Sequence, residues 1–244
     1  MQGRVYHSIV NWRNTGHKVV AWLIDPDRYN RQTLLSLRDN GVLPKVILVG
    51  GSLVTSDTDA VVREIKSVVG DSSFVVLFPG DYGQLSDSAD ALLLLSLVSG
   101  RNPEYLIGQH VKAAPMIHRM GLETIATAYM LIDGGTTTSV QYISATTPIP
   151  ANKPDLAMAT AMAAEQLGMA MVYLEAGSGA SLAINDELIR GVRNVVDVPI
   201  IVGGGLRSAD EVKRVFAAGA DIAVVGTLIE RKPEVAERIM RCCE

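Results

Sequence analysis

The sequence predicts a (β/α)8 barrel, in which eight parallel strands alternate with helices, on three observations. Eight short apolar runs rich in Val, Ile and Leu recur along the 244 residues with little polar alternation, which is typical of strands buried on both faces. Segments with helical periodicity lie between most of these runs. The mean repeat of about 30 residues suits one strand and one helix, so eight units fill a single predicted domain, residues 1–244. A doubly wound open sheet is the alternative, but no break divides the chain in two.

The order of the elements follows the apolar periodicity. The predicted strands are residues 19–24, 45–49, 74–78, 91–98, 122–132, 170–174, 199–202 and 222–225. The predicted helices include residues 31–40, 59–69, 155–167, 187–195 and 209–218. Ser208 precedes the last helix and Glu211 follows three residues later, a capping-box pattern that marks a helix start.

Two connections depart from this rhythm. Residues 78–91 leave little room for a helix, and Gly80, Gly83, Ser86 and Ser88 make the segment poorly helical, so the third helix is expected to be reduced or replaced by a loop. Residues 133–153 form a long polar segment rich in Thr, Ser, Gly and Pro. Long loops within compact domains are often functional.

The composition excludes several classes of protein. Hydrophobic residues make up 48% and charged residues 20%, which excludes a disordered chain. The net charge of −4 and the lack of a basic stripe argue against a nucleic-acid partner. Cys242 and Cys243 are adjacent and cannot build a disulfide scaffold, which predicts a reducing compartment. The start of the chain lacks the apolar stretch of a signal peptide, and residues 91–98 are too short to cross a bilayer. We therefore expect a cytoplasmic protein.

Glycine and acidic residues concentrate at the predicted strand exits, where barrels of this kind carry their active sites. Strands seven and eight exit at the triple glycine 203–205 and at Gly226 and Thr227. A phosphate site is frequently built there, because glycine lets backbone N–H groups approach an anion and a helix N-terminus adds partial positive charge. The alternative is that the glycines only turn the chain. We predict a phosphate site, which by itself names no reaction.

Strand six ends in a tyrosine, a carboxylate and two further glycines. Tyr173 and Glu175 are two residues apart and project to the same face, which at a strand exit can be the barrel mouth. A carboxylate beside a tyrosine can act as a general base with a hydrogen-bonding partner. Ser178 with Gly179 adds donors for a phosphate. The alternative is that Glu175 pairs with a helix arginine on the outside of the barrel.

Strand one ends in two carboxylates, Asp25 and Asp27. With a hydroxyl from Ser52 or Thr55, these side chains are hard oxygen ligands of the kind that Mg²⁺ prefers, usually alongside substrate phosphates. The alternative for Asp27 is that it caps or turns the chain before the helix at residues 31–40.

These motifs together resemble the geranylgeranylglyceryl phosphate synthase family, (β/α)8 prenyltransferases that join a prenyl chain to sn-glycerol 1-phosphate. The matching strings are WLIDPD at 22–27, VGGS at 49–52, TPIP at 147–150, YLEAGSG at 173–179, GGG with RS at 203–208, and GT at 226–227. The resemblance spans nearly the whole chain and is strongest to the family's second group. The short connection after strand three also fits, since this family's barrel has lost that helix.

The resemblance implies a role for each matched position. The residues implied to bind sn-glycerol 1-phosphate are Tyr173, Leu174, Glu175, Ala176, Gly177, Ser178, Gly179, Gly204, Gly205, Gly226 and Thr227. Asp25 and Ser52 are implied to bind Mg²⁺. The family often has Asn at the position of Thr227, but either residue offers a backbone N–H. The resemblance further implies ether phospholipid synthesis, a homo-oligomer, and at most transient membrane contact through the lipid product.

The mechanism that follows is a Mg²⁺-dependent transfer. The 3-hydroxyl of glycerol phosphate attacks C1 of a prenyl diphosphate, Glu175 takes the proton and Tyr173 positions the nucleophile. An apolar groove near strands four and five, with Tyr142 as a candidate limit on its length, is expected to hold the tail. A C20 donor is expected, and a longer donor such as heptaprenyl diphosphate is the alternative. Two other classes stay open: a phosphosugar isomerase or lyase with the same phosphate site, and a lipid- or phosphate-binding protein without activity.

Overall fold

The computed structural model describes residues 3–231 and 233–243. The predicted domain also includes Met1, Gln2, Lys232 and Glu244, which lie outside the described residues, as does the side chain of Cys243. None of the helices described has the length and apolar character needed to cross a membrane.

Eight parallel strands close into a barrel, each paired with the next along the chain and the last paired with the first. The strands are β1 (Val19–Ile24), β2 (Val46–Val49), β3 (Phe74–Leu77), β4 (Ala91–Leu97), β5 (Thr124–Leu131), β6 (Met171–Glu175), β7 (Ile200–Gly203) and β8 (Ile222–Val225). The predicted fold class is confirmed, and the strand bounds differ from prediction by at most two residues at either end.

The helices flank the strands in the predicted order. They are α1 (Arg4–Asn14), α2 (Arg31–Asp39), α3 (Thr58–Val69), α4 (Gln109–Met120), α5 (Ser139–Ser144), α6 (Pro154–Gln166), α7 (Asp186–Arg193), α8 (Ala209–Ala218), α9 (Thr227–Arg231) and α10 (Ala236–Met240). A turn of π-helix, Glu104–Gly108, leads into α4. Ser208 caps α8 at the predicted helix start, because its side chain accepts the N–H of Glu211. The Glu211 carboxylate accepts the N–H of Arg207, one residue before the cap, where a capping box would use the N–H of Ser208.

The strands read as continuous apolar runs because both of their faces are buried. In β1, Val19 and Ala21 pack into the barrel interior, whereas Val20, Trp22 and Ile24 pack against the surrounding helices. The same alternation divides the other strands between two apolar clusters. A strand with one solvent-exposed face would instead alternate polar and apolar residues.

The barrel wall is weakest between β3 and β4. These strands pair only through Val76 with Ala91 and Leu77 with Leu92, whereas β4 pairs with β5 along Leu92–Leu97. Residues 78–90, which connect them, contain no helix, so the expected loss of the third barrel helix is confirmed. The upper part of β4 therefore has no strand beside it on this side.

Candidate functional site

The predicted site residues meet at one rim of the barrel, because parallel strands all end on the same side. Glu175 is the register partner of Gly203, and Gly203 is the partner of Val224, one residue before the end of β8. On the opposite side of the rim, Ile24 pairs with Val49, so the segments that follow β1 and β2 are also neighbours.

The glycines after β7 serve both backbone conformation and close packing. Gly204 and Gly205 have φ angles of +79° and +72°, which L side chains rarely adopt. A Cβ at Gly204 would overlap the Glu175 carboxylate, and a Cβ at Gly203 would overlap the Tyr173 hydroxyl. The positive φ angles and the close packing against β6 therefore both require glycine in this turn. The side chains of Tyr173 and Glu175 fill the space that a Cβ at Gly203 or Gly204 would need.

A set of backbone donors lines this turn. Among the residues that the structure describes, no hydrogen-bond acceptor is found for the N–H groups of Ser178, Gly179, Gly204 and Gly205. The Ser178 hydroxyl lies 3.2 Å from the Thr227 hydroxyl, which joins the loop after β6 to the end of β8. Unpaired N–H groups and hydroxyls that converge in this way suit a phosphate anion.

Glu175 is a buried carboxylate at the edge of this donor set. Only 4% of the residue is exposed, and its Oε1 accepts the N–H of Gly177 at 2.6 Å. Burial raises the pKa of Glu175 to about 7, against the opposing effect of that hydrogen bond. No ion pair to Glu175 occurs in the described chain, so the alternative in which it meets an arginine outside the barrel is wrong.

Tyr173 lies on the same strand face as Glu175, as predicted, and is fully buried. Its hydroxyl is close enough to act electrostatically on Glu175 but makes no hydrogen bond of normal geometry with any described residue. Burial raises the pKa of Tyr173 well above its ordinary value, so the hydroxyl stays protonated. Leu174 points the other way, into the layer between strands and helices, so its side chain does not reach the rim.

Two aromatic residues that the sequence analysis missed surround Tyr173. The ring centroid of Phe78 lies 5.2 Å from that of Tyr173, and the Tyr129 centroid lies 5.4 Å from it. Phe78 and Tyr129 are 5.8 Å apart in an edge-on arrangement. Both residues sit at or near strand ends, which is the signal that could have identified them. This aromatic trio, Phe78, Tyr129 and Tyr173, connects the donor-lined turn with the cavity described next.

An apolar cavity opens beside β4, where the wall between β3 and β4 is incomplete. Leu92–Leu95 form one wall, and α4 contributes Ala113 and Ile117. Gly51, Ser52 and Gly80 lie at its rim end, beside Phe78. The predicted apolar groove near strand four is thus present in the fold.

The lining of this groove differs from the expectation at two side chains, Tyr142 and His110. Tyr142 is 82% exposed and is not among the lining residues, although its helix neighbours Val140 and Ile143 are. His110 also lines the cavity and lies 2.9 Å through Nε2 from the carbonyl oxygen of Leu95, at the unpaired edge of β4.

Asp25 and Ser52 lie on neighbouring segments across the rim from Glu175. The Asp25 carboxylate accepts the N–H of Asp27 at 3.0 Å and is 3.7 Å from the Arg28 guanidinium. A Cβ at Gly51, the residue before Ser52, would lie 3.7 Å from the same carboxylate. Within residues 3–231 and 233–243, no group of three His, Cys, Asp or Glu side chains could hold a metal ion.

Asp27 and Thr55 are hydrogen-bonded to each other. The Asp27 carboxylate accepts the N–H groups of Thr55 and Ser56 and the Thr55 hydroxyl. Hydrogen bonding from the side chain and N–H of Ser56, followed by that from Thr55, lowers the pKa of Asp27 to about 2. Asn30 caps α2, so the alternative in which Asp27 caps this helix is wrong, but Asp27 does lie in the turn Pro26–Arg28 that precedes it. Its carboxylate also fixes the loop after β2. Ser52 is therefore a better candidate ligand than Thr55.

Comparison with known proteins agrees with this geometry. Residues 7–242 match the PcrB family. Geranylgeranylglyceryl phosphate synthase of Chitinophaga pinensis is 48% identical over 98% of this chain and 95% of its own length. The Pyrococcus abyssi protein of the same name is 39% identical over 96% of this chain and 93% of its own length.

A solved structure extends the agreement to the fold. The crystal structure of (S)-3-O-geranylgeranylglyceryl phosphate synthase from Thermoplasma acidophilum, in complex with substrate sn-glycerol-1-phosphate, superposes with a TM-score of 0.89 at 31% identity. The match covers all of this chain and 98% of that one. With a family match over nearly its full length, this chain belongs to the PcrB family, alongside relatives named geranylgeranylglyceryl phosphate synthase.

Proposed function

We propose that this protein is a prenyltransferase that joins the prenyl group of a prenyl diphosphate to the 3-hydroxyl of sn-glycerol 1-phosphate. The expected donor is geranylgeranyl diphosphate. The observation that carries the proposal is the position of the Glu175 carboxylate. It lies against the glycine turn after β7, and its strand neighbour Tyr173 packs against Phe78 and Tyr129, which line the apolar cavity. A base between an anion site and an apolar cavity suits a reaction between a phosphate ester and a lipid.

The glycerol phosphate would bind through main-chain donors. Its phosphate accepts hydrogen bonds from the N–H groups of Ser178, Gly179, Gly204 and Gly205, with the hydroxyls of Ser178 and Thr227 beside them. These donors are fixed by the backbone and need no side chain to be ordered on binding. This arrangement puts the glycerol end toward the buried pair Tyr173 and Glu175.

The chemical step forms one bond and breaks another. The 3-hydroxyl oxygen attacks C1 of the prenyl chain, and the C1–O bond to diphosphate breaks with its electron pair on the leaving group. Glu175 accepts the hydroxyl proton, for which a pKa of about 7 is well matched. Tyr173 orients the nucleophile, because its buried hydroxyl stays protonated beside Glu175.

The donor tail would occupy the cavity beside β4. Burial of each CH₂ group contributes about 0.8 kcal/mol, so a long apolar tail supplies ample binding energy. A phosphosugar isomerase or lyase would have no use for such a cavity, and a binding protein without activity would not need a buried base. The donor can be geranylgeranyl or, as the alternative, a longer chain such as heptaprenyl.

Asp25 and Ser52 would hold a Mg²⁺ ion near the diphosphate end of the donor. A carboxylate and a hydroxyl fit this ion, which usually takes one or two protein carboxylates and fills its other positions with phosphate oxygens and water. The Asp25 side chain is 30% exposed, and its one ion pair among the described residues, with Arg28, is 3.7 Å long, so it can accept such a ligand. When bound, Mg²⁺ neutralises charge on the departing diphosphate.

We also propose that the protein acts in the cytoplasm as a homo-oligomer, with at most transient membrane contact through its lipid product. Exposed apolar side chains on the outer helices support self-association, among them Ile107, Val111 and Leu156. Light scattering of the purified protein tests the oligomeric state.

The activity is tested by incubating the protein with Mg²⁺, a glycerol phosphate and prenyl diphosphates of increasing length. We expect an ether product from sn-glycerol 1-phosphate and geranylgeranyl diphosphate, and little from sn-glycerol 3-phosphate, because the buried base fixes the position of the hydroxyl. Product analysis by mass spectrometry identifies the preferred donor. A protein that turns over no prenyl diphosphate of any length would contradict the proposed function.

The Glu175→Gln variant tests the general base. We expect kcat to fall by about 10²–10⁴-fold, because the amide cannot accept the proton. Calorimetry should find sn-glycerol 1-phosphate binding nearly unchanged, since the phosphate donors are main-chain groups. Glu187→Gln, at an exposed position on α7, is the matched control and should keep wild-type turnover. Wild-type turnover in Glu175→Gln would reject the role.

The pH dependence of kcat/KM reports the same carboxyl group. A base with a pKa of about 7 is mostly protonated and inactive below that pH, so the rate should rise with pH and level off above it. Rates measured from about pH 5 to about pH 9 should give half of the plateau value near pH 7. A flat profile across this range would show that no group with a pKa near 7 limits the reaction.

The Asp25→Asn variant tests the proposed magnesium site. Loss of the carboxylate charge should abolish most of the response of the rate to Mg²⁺, because an amide oxygen is a much weaker ligand for this ion. Asp39→Asn, at an exposed position at the end of α2, is the matched control. A titration of activity with Mg²⁺ that gives the same curve for Asp25→Asn and wild type would remove Asp25 from the site.

A further inference from the structure

Gln84 is a buried side chain that no motif identifies and that the proposed mechanism does not use. It lies in the connection between β3 and β4, and only 4% of it is exposed. Its Oε1 accepts the N–H groups of Gly51 and Gly80, each at 3.2 Å. Its Nε2 donates to the Gly51 carbonyl at 2.9 Å and reaches Asp81 at 3.3 Å. One amide therefore joins the segment after β2 to the segment after β3.

This amide extends the hydrogen bonding of the sheet past the point where the strands end. The last backbone bond between the two strands' ends runs from Phe78 N–H to the Val49 carbonyl at 2.8 Å. Two residues after Val49, the N–H and the carbonyl of Gly51 are both hydrogen-bonded by Gln84. In this part of the rim, the Gln84 side chain thus makes the hydrogen bonds that a backbone residue of β3 would make if the strand continued.

The two segments also touch backbone to backbone. A Cβ at Gly50 would overlap the Phe78 carbonyl, and a Cβ at Gly80 would overlap the Gly51 carbonyl. No helix follows β3 to support this contact from outside, since residues 78–90 form a loop. Gln84 is therefore the polar link within a close contact between two loops.

We propose that Gln84 is a positioning residue for the diphosphate end of the prenyl donor. The segments that it joins supply Gly51, Ser52 and Gly80 to the rim end of the apolar cavity. Gly51 adjoins the Asp25 carboxylate, and Ser52 is the proposed second ligand of Mg²⁺. The turn that binds glycerol phosphate is on the far side of the barrel mouth, after β6 and β7. The inference rests on the proposed function, and it predicts an effect on one substrate only.

The Gln84→Met variant tests this separation, because methionine keeps the volume and removes the amide. Calorimetry with geranylgeranyl diphosphate and Mg²⁺, without glycerol phosphate, should give about ten-fold weaker binding, as expected for the loss of one to two net hydrogen bonds. Binding of sn-glycerol 1-phosphate alone should stay within about two-fold. In the assay, KM for the donor and the Mg²⁺ concentration for half-maximal rate should both rise, with KM for glycerol phosphate unchanged.

Two further variants separate positioning from general stability. Val192→Ala removes volume from a fully buried site on α7 and should lower the melting temperature without a selective effect on the donor. Gln84→Asn keeps an amide but is one methylene too short to reach both segments, so it should reproduce the selective loss, and it carries the test if Gln84→Met does not fold.

The inference is overturned if both Gln84 variants bind geranylgeranyl diphosphate as wild type does, or if they lose affinity for both substrates to the same degree. A failure of the proposed function is a different result, since wild-type protein would then neither bind nor turn over the prenyl donor.

Discussion

The burial of one carboxylate governs the arrangement of the whole rim. Glu175 ends β6 of the closed barrel, and its side chain points into the mouth and loses nearly all contact with water. Desolvation raises its pKa from 4.5 to about 7. The folded protein therefore favours the protonated form, and that preference is fully present below the unfolded pKa near 4.5 and is lost as the pH rises through about 7. At higher pH the charged base costs about 3 kcal/mol of stability, by the relation between pKa shift and free energy.

At the end of β7, the residues that pack against Glu175 and Tyr173 are glycines because these two side chains need the space. Gly203 and Gly204 have no room for a Cβ because the Tyr173 hydroxyl and the Glu175 carboxylate fill that volume. Gly204 and the following Gly205 have the left-handed backbone conformation that aims N–H groups at an anion. The base and the phosphate site are thus one structure, since a side chain at Gly204 would displace the carboxylate and block the anion site together.

The sequence predicts the parts of this site that depend on strand periodicity. Tyr173 and Glu175 share a face because they are two apart on a strand, and Gly204 and Gly226 reach the same rim because parallel strands end together.

The features that the sequence does not predict depend on contacts between distant segments. Phe78 and Tyr129 meet Tyr173 only after the barrel closes, and Gln84 gains its role only because the helix after β3 is missing. Asp27 and Asn30 are both acceptable caps by residue type, and only the fold shows that Asn30 caps α2 while Asp27 holds the loop at Thr55. Tyr142 lies on α5 beside residues that line the cavity, but its side chain points to solvent. For so short a helix, sequence spacing does not determine the direction of a side chain.

An acidic protein that takes two anionic substrates needs a local means of binding them. The net charge is −4, so the overall field of the protein does not attract a phosphate ester or a diphosphate. Main-chain dipoles at the glycine turn act over a few ångströms and need no lysine or arginine, which suits a site next to a buried carboxylate. A cation side chain there would pair with Glu175 and lower its pKa, and so weaken it as a base. On the other side of the mouth, a divalent ion at Asp25 and Ser52 would bring positive charge only together with the diphosphate that needs it. One anion site is built from backbone and the other from oxygen ligands, so neither places a cationic side chain beside Glu175. Its pKa therefore stays near 7, and the ionised carboxylate can accept a proton near that pH.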